Sequence, residues 1–126
     1  MANTFDWVEI RTGDIERTAR FYERLFSWQV VHRDTTEGTD YWIFDTGAEP
    51  RLQNIRRGGM WLQTGGRGLG VVVYVVVRDI EAILAQAQEL GGAVVVPRTR
   101  QGPAFRACFR DPDGNLLGLW EEEGLE

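Results

Sequence analysis

The sequence predicts an α+β fold built from two tandem βαβββ modules. Two observations carry that prediction. Two amphipathic helical stretches open on the same signature, Asp14-Ile15-Glu16 and Asp79-Ile80-Glu81. Each is preceded by one β-rich run and followed by three, at near-constant offsets. Self-similarity at that scale points to a duplicated supersecondary unit.

The elements follow in order. "DWVEIR" is the first strand, and strict alternation places Trp7 and Glu9 on one face and Val8 and Ile10 on the other. "GDIERTARFYERLFSW" (13–28) spaces Ile15, Ala19, Tyr22, Leu25 and Phe26 as one apolar helical stripe. Asp14 and Glu16 stand where carboxylates cap free N–H groups and oppose the positive helix end. Strands are expected at "WQVVHR" (28–33), "YWIFDT" (41–46) and "GGMWLQ" (58–63). The second module repeats the order with "VVVYVVV" (71–77), then a helix in "RDIEAILAQAQELGG" (78–92). Its stripe is Ile80, Ile83, Leu84, Ala87 and Leu90, and Gly91-Gly92 stops it. Strands at "AVVVP" (93–97), "FRACFR" (105–110) and "NLLGLW" (115–120) complete it.

The connections carry turn chemistry. "TGGRGLG" (64–70) is the joint between module one, about 4–63, and module two, about 71–122, within one domain spanning 1–126. "DTTEGTD" (34–40) and "RTRQGPA" (98–104) read as loops at equivalent places. "DPDGN" (111–115) is a tight turn, and "EEEGLE" reads as a solvated tail. A ferredoxin-like βαββαβ arrangement would leave the extra strands, "NLLGLW" above all, without a place.

Composition narrows the function classes. A net charge of −5 and a pI near 4.9 argue against a general nucleic-acid backbone binder. No apolar run reaches the ~20 residues of a membrane span, and the first residues lack a secretory layout. The single cysteine, Cys108, allows no internal disulfide, in keeping with a cytoplasmic location. All fourteen basic residues are arginine, a bias from which no function is drawn.

"WVEIRTGDIERTARFYERLFSW", "VYVVVRDIEAILAQAQELGG" and "FRDPDGNLLGLW" together resemble the vicinal-oxygen-chelate superfamily, the group of glyoxalases, bleomycin-resistance proteins and extradiol dioxygenases. The resemblance spans nearly the whole chain. It implies a curved, cup-shaped mixed sheet with helices outside and a ligand in the cup, and it makes a homodimer the expected assembly. In metal-dependent relatives the place of the first-strand histidine falls on Trp7 and, in the second module, on Val72. The place of the last-strand glutamate falls on Gly118 and, in the first module, on Trp61 or nearby Gly59. None of these side chains is a divalent-metal donor. The only histidine, His32, lies at a strand end and is expected at the surface.

The expectation is therefore a site without metal or cofactor. The inward face would carry Trp7, Tyr41 or Trp42, Trp61, Tyr74, Arg106 and Trp120 around Glu9, with Gly59 and Gly118 leaving room or marking a bulge. The same aromatic residues would alternatively fill a core. In such surroundings a charged Glu9 loses solvation unless an arginine or several donors compensate. It has three open roles: pairing with a ligand cation, acid–base catalysis, or a structural ion pair with Arg11 or Arg106. The leading function is metal-free binding of an aromatic or cationic small molecule. An isomerase, lyase or dioxygenase-type enzyme is the alternative, with Glu9 as acid–base residue or an atypical metal site. A structural or regulatory module is a third reading.

Overall fold

The computed structural model describes residues 3–35, 40–47, 51, 56–63 and 70–122. Its elements run β1 (Thr4–Thr12), α1 (Ile15–Phe26), β2 (Gln29–Asp34), β3 (Tyr41–Asp45), β4 (Arg57–Leu62), β5 (Gly70–Val76), α2 (Ile80–Glu89), β6 (Ala93–Gln101), β7 (Ala104–Arg110) and β8 (Leu116–Glu122). This is the α+β class and the doubled βαβββ order that the repeat predicts. The chain divides into two compact units, Trp7–Val72 and Val73–Glu126, the latter joined by Met1–Asp6. The joint at 64–69, the loop tip at 36–39 and the tail from 123 onward lie outside the described residues.

In the first unit the strands are ordered β2-β3-β4-β1, with β1 parallel to β4 and the other neighbours antiparallel. One face packs on α1. Ile15, Trp42, Phe44 and Met60 are buried together there, with Ile10, Ala19, Tyr22 and Trp28 against them. Asp14 caps α1 by accepting from Arg17 N at 3.0 Å, and Thr12 Oγ1 lies 2.6 Å from Thr18 Oγ1. The predicted stripe holds at Ile15, Ala19 and Tyr22 and fails in the last turn, where Leu25 and Phe26 are more than half exposed. Phe26 instead lays one side of its ring against Tyr22 and Trp28.

In the second unit the order is β5-β8-β7-β6, with β5 parallel to β8. Val77, Ile80, Leu84, Ala107 and Leu119 form its core beneath α2. Leu90, predicted in the stripe, is 70% exposed because α2 has ended: Gly91 takes φ 100° and turns the chain away. The expected loop at 98–104 is mostly strand. β6 runs on to Gln101 and only residues 102–103 turn. Pro97 is tolerated because β6 is the edge strand of this unit, where register shifts on either side of Val96 absorb it.

The acidic tail also contributes structure. Glu121 belongs to β8, accepts from Ile80 N at 2.8 Å at the start of α2, and pairs with Arg98 at 2.8 Å. The Arg98 hydrogen bond, helped by the Ile80 amide, holds the Glu121 carboxyl below its ordinary range against the upward push of burial. In the "DPDGN" turn, hydrogen bonds from Asn115, then from the Asp113 and Gly114 amides, lower Asp111 in the same way. A carboxyl whose pKa is lower folded than unfolded adds stability above the unfolded value and loses it as pH falls through the folded value. Melting temperature should therefore drop on acidification below about pH 4, and Glu121→Gln should flatten part of that drop in melts followed by circular dichroism.

Candidate ligand site

The candidate site of the first unit is built on the sheet face opposite α1. Alternation along β1 places Trp7, Glu9 and Arg11 on it, while Ile10 packs beneath α1. The register sets Glu9 opposite Gly59 and Arg11 opposite Trp61, and across β4 these two pair in turn with Ile43 and Tyr41 of β3. Tyr41 and Trp42, left as alternatives by the sequence, separate cleanly: Tyr41 faces Glu9 and Trp42 lies in the core under α1.

These side chains form one connected network. Trp7 Nε1 donates to the Tyr41 hydroxyl at 2.8 Å, and that hydroxyl donates to Glu9 Oε1 at 3.1 Å. Arg11 Nε donates to Glu9 Oε2 at 2.8 Å. Glu9 is only 4% exposed, so its charge is compensated by protein donors and a guanidinium rather than by water. The Arg11 guanidinium also stands 5.3 Å from the Trp61 ring centre, and Tyr41 and Trp61 pack with centroids 6.4 Å apart. Trp7, Tyr41 and Trp61 each remain partly exposed, so they form a surface and not a sealed core.

Gly59 makes this arrangement possible. A Cβ there would run into the Tyr41 ring and hydroxyl. The missing side chain on β4 is the lane through which the Tyr41 phenol crosses from β3 to reach Glu9 on β1.

The second unit repeats the device in simpler form. Tyr74 on β5 pairs with Gly118 on β8, and a Cβ at Gly118 would collide with the Tyr74 ring. Tyr74 is buried, whereas Trp120 and Arg106, register partners across β8 and β7, are partly exposed. Cys108 is a buried free thiol opposite Gly118. The predicted site residues thus fall in two groups, Trp7, Glu9, Tyr41 and Trp61 in one unit and Tyr74, Arg106 and Trp120 in the other. His32 is exposed on β2, as a surface histidine should be.

Among the described residues no three His, Cys, Asp or Glu side chains come together. The carboxylate on the candidate face already accepts from Tyr41 and Arg11, and a guanidinium beside it repels a cation. This face does not fit a metal ion.

Comparison with known proteins fixes the family. The family model of the Glyoxalase/Bleomycin resistance protein/Dioxygenase superfamily matches residues 4–119. The chain belongs to that superfamily. The CFP32 proteins of Mycobacterium bovis and Mycobacterium tuberculosis, which bear a glyoxylase name, are 27% identical over 122 residues, covering 94% of this chain and 45% of theirs. The chain thus spans a little under half the length of these curated relatives.

Among solved structures, a Streptomyces coelicolor methylmalonyl-CoA epimerase variant in complex with 2-nitronate-propionyl-CoA shares the fold. It aligns at TM-score 0.69 and 18% identity over 98% of this chain and 100% of that one. The methylmalonyl-CoA epimerase of Mycobacterium tuberculosis aligns at TM-score 0.66 and 17% identity, covering 96% and 89% of the two chains. A hypothetical protein of Bacillus halodurans aligns at 0.71 and 14%, covering 100% and 99%. At such identities the likeness establishes the fold, and function has to be argued from the site.

Proposed function

We propose that this superfamily member is a metal-free small-molecule-binding protein that holds a ligand against the wall of Trp7, Tyr41 and Trp61. The observation that supports this most is the hydrogen-bonded chain from Trp7 through Tyr41 to buried Glu9. It fixes partly exposed rings in place before any ligand arrives, and fixing a binding surface in advance lowers the ordering cost of association. Tyr74, Arg106 and Trp120 are assigned to ligand contact in the same reading. The pairing of Glu9 with Arg11 favours the aromatic half of the expectation over the cationic half, because the carboxylate already has its positive partner.

The test is a thermal-shift screen against planar aromatic compounds, bleomycin and quinones among them, on the wild type and on Trp61→Leu. One ligand at 100-fold above its Kd should add about 2.7 kcal/mol, a shift of several degrees for a domain of this size. Trp61→Leu should lose it. A screen with no saturable shift would count against the proposal.

A second reading rests on the Tyr41–Glu9 hydrogen bond of 3.1 Å, a phenol and carboxylate placed as an acid–base pair would be. On that reading the chain is an isomerase- or lyase-type enzyme, and Glu9→Gln abolishes turnover while leaving ligand affinity within a few-fold. A homodimer in the cytoplasm is part of the proposal, checked by sedimentation across a concentration series. Among the described residues no helix is long and apolar enough to cross a membrane.

A further inference from the structure

The network on the candidate face also sets the electronic character of its rings. Trp7 Nε1 donates to the Tyr41 hydroxyl at 2.8 Å, and Tyr41 donates its own proton on to Glu9 Oε1 at 3.1 Å. An indole carries one N–H and a phenol one O–H, and both are used within the protein. A ligand at the wall therefore receives no proton from either residue and meets their ring surfaces.

Both bonds run towards a carboxylate. Hydrogen bonds that end on an ionised acceptor are the strong ones, and bonds in a chain polarise one another. A ring that donates its proton towards negative charge gains electron density, which deepens the negative potential that its face already carries. Glu9 is 4% exposed, so water does little to screen this effect.

At the third ring the place of a cation is taken. The Arg11 guanidinium, joined to Glu9 Oε2 at 2.8 Å, stands 5.3 Å from the Trp61 ring centre. The protein itself supplies the positive partner that an electron-rich face attracts, and a ligand cation beside it would meet like charge. An uncharged ring depleted of electrons escapes that repulsion and still offers a positive face to the wall. Tyr41 and Trp61 are tilted 53° from one another, so one flat ligand lies parallel to only one of the two. The preference is then on the scale of a single stacked pair.

We propose that the wall selects electron-poor planar rings, of the quinone or nitroarene kind, over electron-rich rings of the same shape. The chain from Trp7 through Tyr41 to Glu9 sets that preference. It rests on the wall being a ligand site, as proposed above, and adds the electronic class of the ligand.

The test is isothermal titration calorimetry on the full-length chain with two matched pairs of compounds. These are anthraquinone-2-sulfonate against anthracene-2-sulfonate, and 1,3-dinitrobenzene against 1,3-dimethoxybenzene. Within a pair, ring frame and net charge are the same. The electron-poor member should bind about three- to tenfold more tightly, with a long-wavelength charge-transfer absorption that neither partner shows alone. Tyr41→Phe keeps the ring and breaks the chain, so the ratio should fall towards one while the Kd of the electron-rich member stays within about twofold. Trp7→Phe removes the first donor and should lower the ratio too, and it is the decisive variant should Tyr41→Phe not fold. Equal binding within both pairs, a ratio that neither variant changes, or tighter binding of phenyltrimethylammonium than of any of the four would each overturn the preference and leave the ligand wall standing. Binding by none of the compounds would overturn the preference, and a blank thermal-shift screen beside it would remove the wall as well.

Discussion

Replacing Glu9 by alanine is expected to cost about 3–5 kcal/mol of folding stability, the effect of stripping one partner from a buried ion pair. The carboxylate side chain is 5% exposed and that of Arg11 is 12% exposed, so water cannot replace what is lost. The substitution leaves the guanidinium without its carboxylate and takes the acceptor from the Tyr41 hydroxyl. Removing both charges should be much milder. The double variant Glu9→Ala/Arg11→Met should lose less than the sum of the single losses, by at least about 1 kcal/mol. Urea denaturation of the four proteins measures this directly. Additive losses would mean that the pair does not act as a unit.

The second large effect is at Gly59. Gly59→Ala places a methyl group where the Tyr41 ring now lies, so either the ring swings out or the strands part. Overpacking of this kind costs about 1–3 kcal/mol, and losing the Tyr41–Glu9 hydrogen bond adds about 1 kcal/mol or more. The cost should depend on the ring. In a Tyr41→Ala background the lane is empty, and Gly59→Ala should be close to neutral. A Gly59→Ala penalty that survives Tyr41→Ala would show that the glycine serves the strand backbone and not the tyrosine. Gly118→Ala should behave in the same way towards Tyr74.

Much of this was legible from residue spacing. The doubled Asp-Ile-Glu signature marks two helix starts, and in the structure both aspartates are N-caps. Alternation in "FDWVEI" correctly pairs Trp7 with Glu9 on one face. Arg11 follows from the same rule, since it stands two residues further along, but alternation names a face and not a partner. The choice among Arg11, Arg106 and a ligand cation needed the β1 geometry. Tyr41 and Trp42 were indistinguishable because the phase of β3 depends on the loop before it. The antiparallel register with β4, Tyr41 opposite Trp61, decides between them.

The failures have equally local causes. Pro97 and the run "RTRQG" read as a loop because local preference cannot see an edge position, where a proline costs no ladder bond. Leu25 and Leu90 continue a helical pattern past the point where packing stops, so periodicity alone overstates their burial. Glu121 looked like solvated tail because its partners, Ile80 and Arg98, are distant in sequence.

The wall of Trp7, Tyr41 and Trp61 is proposed to bind a small molecule without help from a metal. The most direct measurement is the melting temperature of the wild type titrated with the best planar compound from the screen, once in EDTA and once with added zinc, nickel or manganese. A saturable rise that is the same in both series is expected. A rise that vanishes in EDTA and returns with the metal would contradict it.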